Sequence, residues 1–473
     1  MKYFLIPLIF LGFSLVTFAQ NIISLDTGKI VELDAKISPV TQTIVTASME
    51  RFENSASRIL VHRSVDAGLT WDLVHTLSPN EDESEYPDPI VLVDEKGDFF
   101  IVYMNVLKYA NIENAQVDLD IQYSEDDGVT WEKTTSVHIN DKVTDFPQGL
   151  IQDESIYVSY SYLPNFPFVQ TSKLYLRKSD DDGMSWNPVQ ISLDSTVSSI
   201  GVAIGKTKED LLITSGNRNN DSIYILKSDA SLDHWSTSSS FSVGNDIKGQ
   251  ITKLITNENQ SVYGVISHLA HQNSTEIYFT RIEDEQVESI QLGLGAYGEG
   301  ILLDDGSFHV VYHTIENGSF EMRYMYLGEN ESQFSNPVTL FSAAYDEDGR
   351  GEYHSMEVLP SGNFLLVFSD WSDGSSAKVL EFSPYLSSTI EDSKSNIIHA
   401  YPNPAHDIIN FEISFPISDA RLELYSLNGE KIHVDQFISD STIEVDVSNI
   451  EGGIYLLRLS MKEKVFIIKM VKN

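Results

Sequence analysis

An eight-residue motif, Ser-x-Asp-x-Gly-x-Thr/Ser-Trp, recurs along the first part of this chain and limits its fold more than any other feature. It appears with Ser64, Asp66, Gly68 and Trp71, returns with Ser124, Asp126, Gly128 and Trp131, and again with Ser179, Asp181, Gly183 and Trp186. A worn copy keeps Ser228 and Trp235 at the same separation, so four of the five tryptophans occupy one slot. The copies begin 60, 55 and 49 residues apart. Asp can bond the backbone a few residues on, Gly supplies a positive φ, and Trp covers the turn. The octad is therefore a folding device on the outer hairpin of a repeated unit, and a period near 50 between strand-like runs predicts a β-propeller.

A second repeat alternates with the first. Pro89–Val93 and Phe99–Tyr103 flank a turn at Glu95-Lys96-Gly97, and similar apolar hairpins centre near Asp153, Glu209, Glu258, Asp305 and Gly362. A weaker one spans Ser38 to Ser48, and a strand near Ile22–Leu33 is expected to close the ring. Such runs are apolar because inner strands are covered on both faces. The fold class is all-β: a six- or seven-bladed propeller, seven favoured by the hairpins, followed by a small C-terminal β-sandwich.

Together the octads and hairpins resemble the Asp-box (BNR repeat) propellers of the sialidase superfamily. The resemblance implies a site built from an arginine triad, an Asp acid/base and a Tyr nucleophile activated by Glu. Tyr353-His-Ser355 through Leu359-Pro360-Ser-Gly362 is similar to the nucleophile strand of that family. The resemblance gives Tyr353 a catalytic role and Arg218 and Asp88 substrate-binding roles; Glu299 and Arg350, where inner strands begin, are candidates for a catalytic and a substrate-binding role. Other candidates where inner strands begin are Asp145, Glu352 and His354. The chain also departs from the pattern. Lys36-Ile37-Ser38-Pro39 stands where Arg-Ile-Pro is expected, Arg58 fills the acid/base region with only Glu50 and Glu53 nearby, and His313 stands at a further arginine position. Sialidases have six blades.

Both ends carry addresses. Lys2, the apolar run Tyr3–Phe18 and Thr17-Phe18-Ala19 read as a secretory signal peptide over residues 1–19. Residues 20–386 form the predicted propeller, and the polar stretch 387–396 reads as a linker. From 397 to 473, short alternating strands are punctuated by Pro402-Asn403-Pro404, Asn428-Gly429 and Gly452-Gly453, as in a β-sandwich. The motifs Tyr401-Pro-Asn-Pro, Leu424-Tyr-Ser-Leu-Asn-Gly, Gly453-Ile-Tyr-Leu-Leu-Arg and Lys469-Met-Val-Lys-Asn resemble the type A sorting domain of type IX secretion. That implies passage through the periplasm and outer membrane of a Gram-negative bacterium, to the medium or the cell surface.

Charge and composition exclude other classes. With 31 basic and 70 acidic residues the formal charge is −39, which opposes nucleic-acid binding. The absence of cysteine removes disulfides, zinc–thiolate sites and cysteine nucleophiles. No further run is long and apolar enough for a membrane span in the mature chain. No cofactor or metal is expected; isolated Asp turns are compatible with calcium, but no motif indicates it. The expected function is a secreted, sialidase-like propeller that binds or processes extracellular glycans, with the type IX machinery as export partner. Two alternatives remain: a non-catalytic binding or adhesion propeller, and a polysaccharide lyase in which a His/Tyr pair, drawn from His268, His271, His313 and His354, abstracts a proton beside a uronate carboxyl.

Overall fold

A computed structural model describes residues 22–25, 28–52, 57–79, 85–107, 116–133, 135–137, 143–163, 172–228, 232–243, 250–269, 275–284, 286–345, 354–371 and 376–385, and, in the last part of the chain, 398–401, 407–413, 421–426, 431–432, 434–438, 442–450, 452–461 and 464–472. The predicted signal peptide and linker, and the candidates Arg350, Glu352 and Tyr353, lie outside these residues. The chain divides into two compact units between residues 388 and 389.

In the first unit every described element is a strand, and the sheets are antiparallel save for one short parallel strand, Gln190–Ser192, beside His234–Ser242. The first sheet joins Ile30–Ile37, Ile44–Arg51, Ser57–Ser64 and Asp72–Leu77 in that order, and the later sheets repeat the meander. Among the described residues, the strands Ile30–Ile37, Ile90–Val93, Val143–Gln152, Ser199–Lys206, Gln250–Ile255, Gln286–Leu302 and His354–Val358 all line one central channel. This radial arrangement of small sheets is a β-propeller.

Two features of the ring differ from the sequence expectation. The stretch expected to form one closing strand is two: Ile22–Ser24 pairs with Ser376–Phe382, while Ile30–Ile37 is the inner strand of the first sheet. The 17-residue strand Gln286–Leu302 serves two sheets, pairing Thr275–Glu283 with its first part and Phe308–Glu316 with its last. Its glycines permit this passage: a Cβ on Gly295 would stand 2.5 Å from the Tyr312 ring.

The octads explain their own composition. In the first, Ser64 Oγ donates to Asp66 Oδ1 (2.9 Å) and accepts from Gly68 N (2.9 Å). Thr70 donates to Asp66 through its amide (2.8 Å) and hydroxyl (2.6 Å), and Trp71 Nε1 donates to Gly68 O (2.9 Å). The second and third octads repeat these bonds. Gly68, Gly128 and Gly183 have φ of 87°, 80° and 82°. The turns also join neighbouring sheets: a Cβ on Gly128 would meet Val45 at 2.7 Å, and Asp127 accepts from Thr41, Thr43 and Arg63 of the first sheet. In the worn copy the glycine is missing. Trp235 there is fully buried, and its Nε1 has no partner among the described residues.

The second unit contains two four-stranded sheets. One holds Ile398–Tyr401, Ile408–Ile413, Thr442–Asp446 and Asp435–Ile438; the other holds Lys431–Ile432, Arg421–Ser426, Gly453–Met461 and Lys464–Lys472. Ile409, Leu422, Leu424, Ile443, Val445 and Val447 are buried in it.

Candidate functional site

The inner strands begin with a shared irregularity. Pairing slips by a bulge between Asp145 and Gln148, between Ile200 and Ala203, and between Ala296 and Glu299. Each slip holds a residue at positive φ: Phe146 (55°), Gly201 (56°) and Tyr297 (48°); Asp88 (53°) opens the second sheet in the same way. Bulges re-aim side chains, and a positive φ in an aromatic residue is strained, more so for Phe146, which precedes a proline. Here the strain delivers Phe146 and Tyr297 into a buried cluster with Ile200, Ile251 and Ala296. That cluster lies where four of the channel-lining strands begin.

Two small cavities flank this cluster. One is lined by Phe146, Gln148, Lys253, His268, Tyr297, Glu299 and His354 among others, and the second by Asp34, Asp88, Pro89, Phe146, Lys253 and His354 among others. Three histidines converge behind Tyr297. His268 Nε2 accepts from the Tyr297 amide (3.4 Å), and the His268 ring meets the Tyr297 ring edge-on at 4.8 Å. His313 stacks on Tyr297 (5.5 Å), contacts Trp371 (5.0 Å), and shares a hydrogen bond of 2.9 Å between its Nδ1 and His354 Nε2. Burial, with His354 and His268 beside it, holds His313 well below the usual imidazole pKa, so the ring is neutral. Its Nε2 has no partner among the described residues.

Below the cluster the channel carries ionisable groups from several inner strands. Lys253 pairs with Glu299 at 2.6 Å, and Lys36 pairs with Glu357. Asp34 takes its bonds from neutral donors, the Ser355 hydroxyl (2.9 Å) and the amides of Val91 (2.9 Å) and Ala35 (2.8 Å). Burial pulls the Lys253 ammonium down, but Glu299 and Asp34 outweigh it and the net shift is upward. Lys36 is raised in the same way against burial, by Glu357 and Asp34. Burial pushes the Glu357 carboxyl up, with Lys36 offsetting only part of the shift.

The residues singled out from the sequence separate into three groups. Asp88 and Glu299 line the cavities around the cluster; Asp88 has its amide on Glu32 Oε2 (2.6 Å). Arg218 lines neither cavity. Its Nη2 lies 3.6 Å from Asp145, and its Nε donates to Ser172 Oγ (3.2 Å). Arg350 and Tyr353 fall outside the described residues, as does His271. Glu50, named beside the missing acid/base, pairs with Arg58. The sequence reading missed Phe146, Tyr297, Gln148, Lys36, Lys253 and Glu357. The available signal was a Pro or Gly directly after the strained residue, in Asp88-Pro89, Phe146-Pro147 and Tyr297-Gly298. Among the described residues no group of three His, Cys, Asp or Glu could hold a metal ion, and no helix is long and apolar enough to cross a membrane.

Residues 399–473 match the family described as the secretion system C-terminal sorting domain. The chain thus carries the sorting tail of type IX secretion, which directs export to the cell surface or the extracellular space. Among curated proteins, none matches this sequence. Solved structures with a similar course of chain include an α-L-arabinanase of Penicillium chrysogenum complexed with arabinobiose, at 10% identity and TM-score 0.46 over 76% of this chain and 96% of that one. The NanB sialidase of Streptococcus pneumoniae follows at 13% identity and TM-score 0.43, over 76% and 69%. A Dyadobacter fermentans protein of unknown function has 14% identity and TM-score 0.45, over 76% and 99%.

Proposed function

We propose that this chain is an exported, seven-bladed Asp-box propeller that binds an extracellular glycan at the face where the inner strands begin, and that it does not hydrolyse sialosides. Seven channel-lining strands support the blade number. One observation carries the functional reading: Arg218, the candidate arginine among the described residues, and the carboxylate Glu299 are already held by the protein. Arg218 is engaged by Asp145 and Ser172, and Glu299 by Lys253. A carboxylate clamp needs an Arg fork free to meet the ligand. The glycan it takes is therefore neutral, consistent with a chain of formal charge −39. Asp88 and Gln148 offer polar groups at the small cavities where the inner strands begin.

A glycan array probed with the purified protein, run beside a sialoside hydrolysis assay, tests this reading. Binding of neutral glycans without release of sialic acid is the expected result. Robust turnover of an unactivated sialoside overturns it.

The convergence of His268, His313 and His354 on Tyr297 favours one second reading, a lyase acting on uronate polymers. A neutral imidazole beside a tyrosine has the proton-accepting group such β-elimination requires. Formation of an unsaturated uronate product, followed by ultraviolet absorbance, separates it from binding alone.

A further inference from the structure

The central channel is a cavity of about 760 Å³, within the range of small-molecule sites. The cluster of Phe146, Ile200, Ile251, Ala296 and Tyr297 lies where four of its inner strands begin, and the channel is lined down to the hairpin turns at Ser38, Asp94, Asp153 and Glu258. We propose that this channel is a binding site for a linear aliphatic polyamine, entering from the end where the inner strands finish.

Three properties of the lining point to that chemistry. The first is the wall. No aromatic ring is present among the described lining residues; Leu92, Leu150, Leu254, Ile301 and Met356 present aliphatic surface instead. Such a wall suits a methylene chain and lacks the stacking platform of a sugar ring. The second is charge. Eight carboxylates line the channel against three lysines, and the lysines are each taken: Lys36 by Glu357, Lys253 by Glu299 and Lys206 by Glu258. The excess is negative inside low-dielectric walls, which focus the field and draw in a cation. The third is spacing. Asp34 lies at the level of Val91, whose amide it binds, and Asp94 follows three residues further along the same strand direction, about 10 Å at ~3.3 Å per residue. A linear triamine can place one ammonium at the Asp34 and Glu357 level and another among the carboxylates of the open end, with methylenes between. Aliphatic amines with the basicity of lysine are charged at neutral pH.

Calorimetric titration of the purified protein with spermidine, at physiological ionic strength, tests the site. One saturable event is expected, with butylamine binding at least about tenfold more weakly because it reaches only one level. Paired substitution Asp153→Asn and Glu258→Gln, on exposed turns where folding is not at risk, is expected to weaken spermidine by about tenfold. Glu357→Gln, checked by its melting temperature, is expected to do the same from the deep end; should it fail to fold, the rim pair carries the test. Glu288→Gln, in the exposed first part of Gln286–Leu302 that pairs with Thr275–Glu283 and does not line the channel, is the control and leaves binding unchanged. Heat that matches added sodium chloride, equal binding of butylamine, or equal loss in Glu288→Gln would overturn the proposal.

Discussion

His313 Nδ1 and His354 Nε2 share one hydrogen bond at 2.9 Å, and both rings are buried. One ring donates the proton of that bond and the other accepts it. Burial first, then His354 and His268, depress His313, and burial likewise takes His309 down to about 4. A histidine whose folded pKa is depressed contributes stability that is complete above its unfolded value. That contribution falls as pH drops below about 6.5, because the unfolded chain then binds more protons. The melting temperature should therefore hold between about pH 7 and 8 and decline steadily towards about pH 4. His313→Gln should melt lower at neutral pH and show a shallower decline. An unchanged slope would mean that His313 is not the group that titrates.

The octad tryptophans should not cost equal amounts when truncated. Trp131 is 9% exposed, whereas Trp71 and Trp186 are only partly buried. Trp131→Ala should lose about 3–5 kcal/mol, as large aromatic truncations in cores do, and Trp71→Ala and Trp186→Ala visibly less. Trp235→Ala should match or exceed Trp131→Ala, because it is wholly buried. Chemical denaturation gives the order, and the glycan affinity of the folded fraction should not change in any of them.

Arg218→Ala should destabilise the protein by about 1–3 kcal/mol, because it leaves Asp145 and Ser172 without their shared donor between the third and fourth sheets. Binding of a neutral glycan should survive in the folded fraction. Normal stability with a selective loss of affinity for an anionic sugar would instead return Arg218 to the role of a carboxylate clamp.

Deletion of residues 399–473 should leave a propeller that melts as before and is retained in the periplasm, since the chain divides into two units ahead of the matched sorting domain. Normal appearance of the truncated protein in the medium would remove the sorting role.

The repeat itself was legible in the sequence because every octad position has a local duty that only a few residue types perform. Ser64, Asp66, Gly68 and Trp71 bond one another within eight residues, so composition alone reveals the turn. The hairpins were legible for the same reason: their turns and apolar runs are short-range. The site was not. Lys253 and Glu299 are far apart in sequence, and only the radial arrangement of the fifth and sixth sheets brings their charges together. Glu299 was singled out by its place where an inner strand begins; its partner lysine lies in an ordinary strand, Gln250–Ile255, that reads as core. Arg218 was placed on a strand end correctly in position, but nothing local announced that Asp145 would engage it. The glycines of Gln286–Leu302 lie against separate partners, Gly295 against Tyr312, Gly298 against Ile266 and Gly300 against Ile255, contacts that no local pattern reveals.

The pairing of Ile22 with Leu380 makes ring closure a question of timing. Contacts so distant in sequence form slowly, because most of the chain must already be ordered before they stabilise anything. The three residues that complete the last sheet belong to the first described part of the chain. A leader ending at Ala19 would keep them tethered at the membrane, a few residues from their point of attachment. With such a leader, closure would become an event of the exported chain, completed once its beginning is set free. Maturation at that end, rather than synthesis of the final strand, would decide when the propeller gains its full resistance to unfolding.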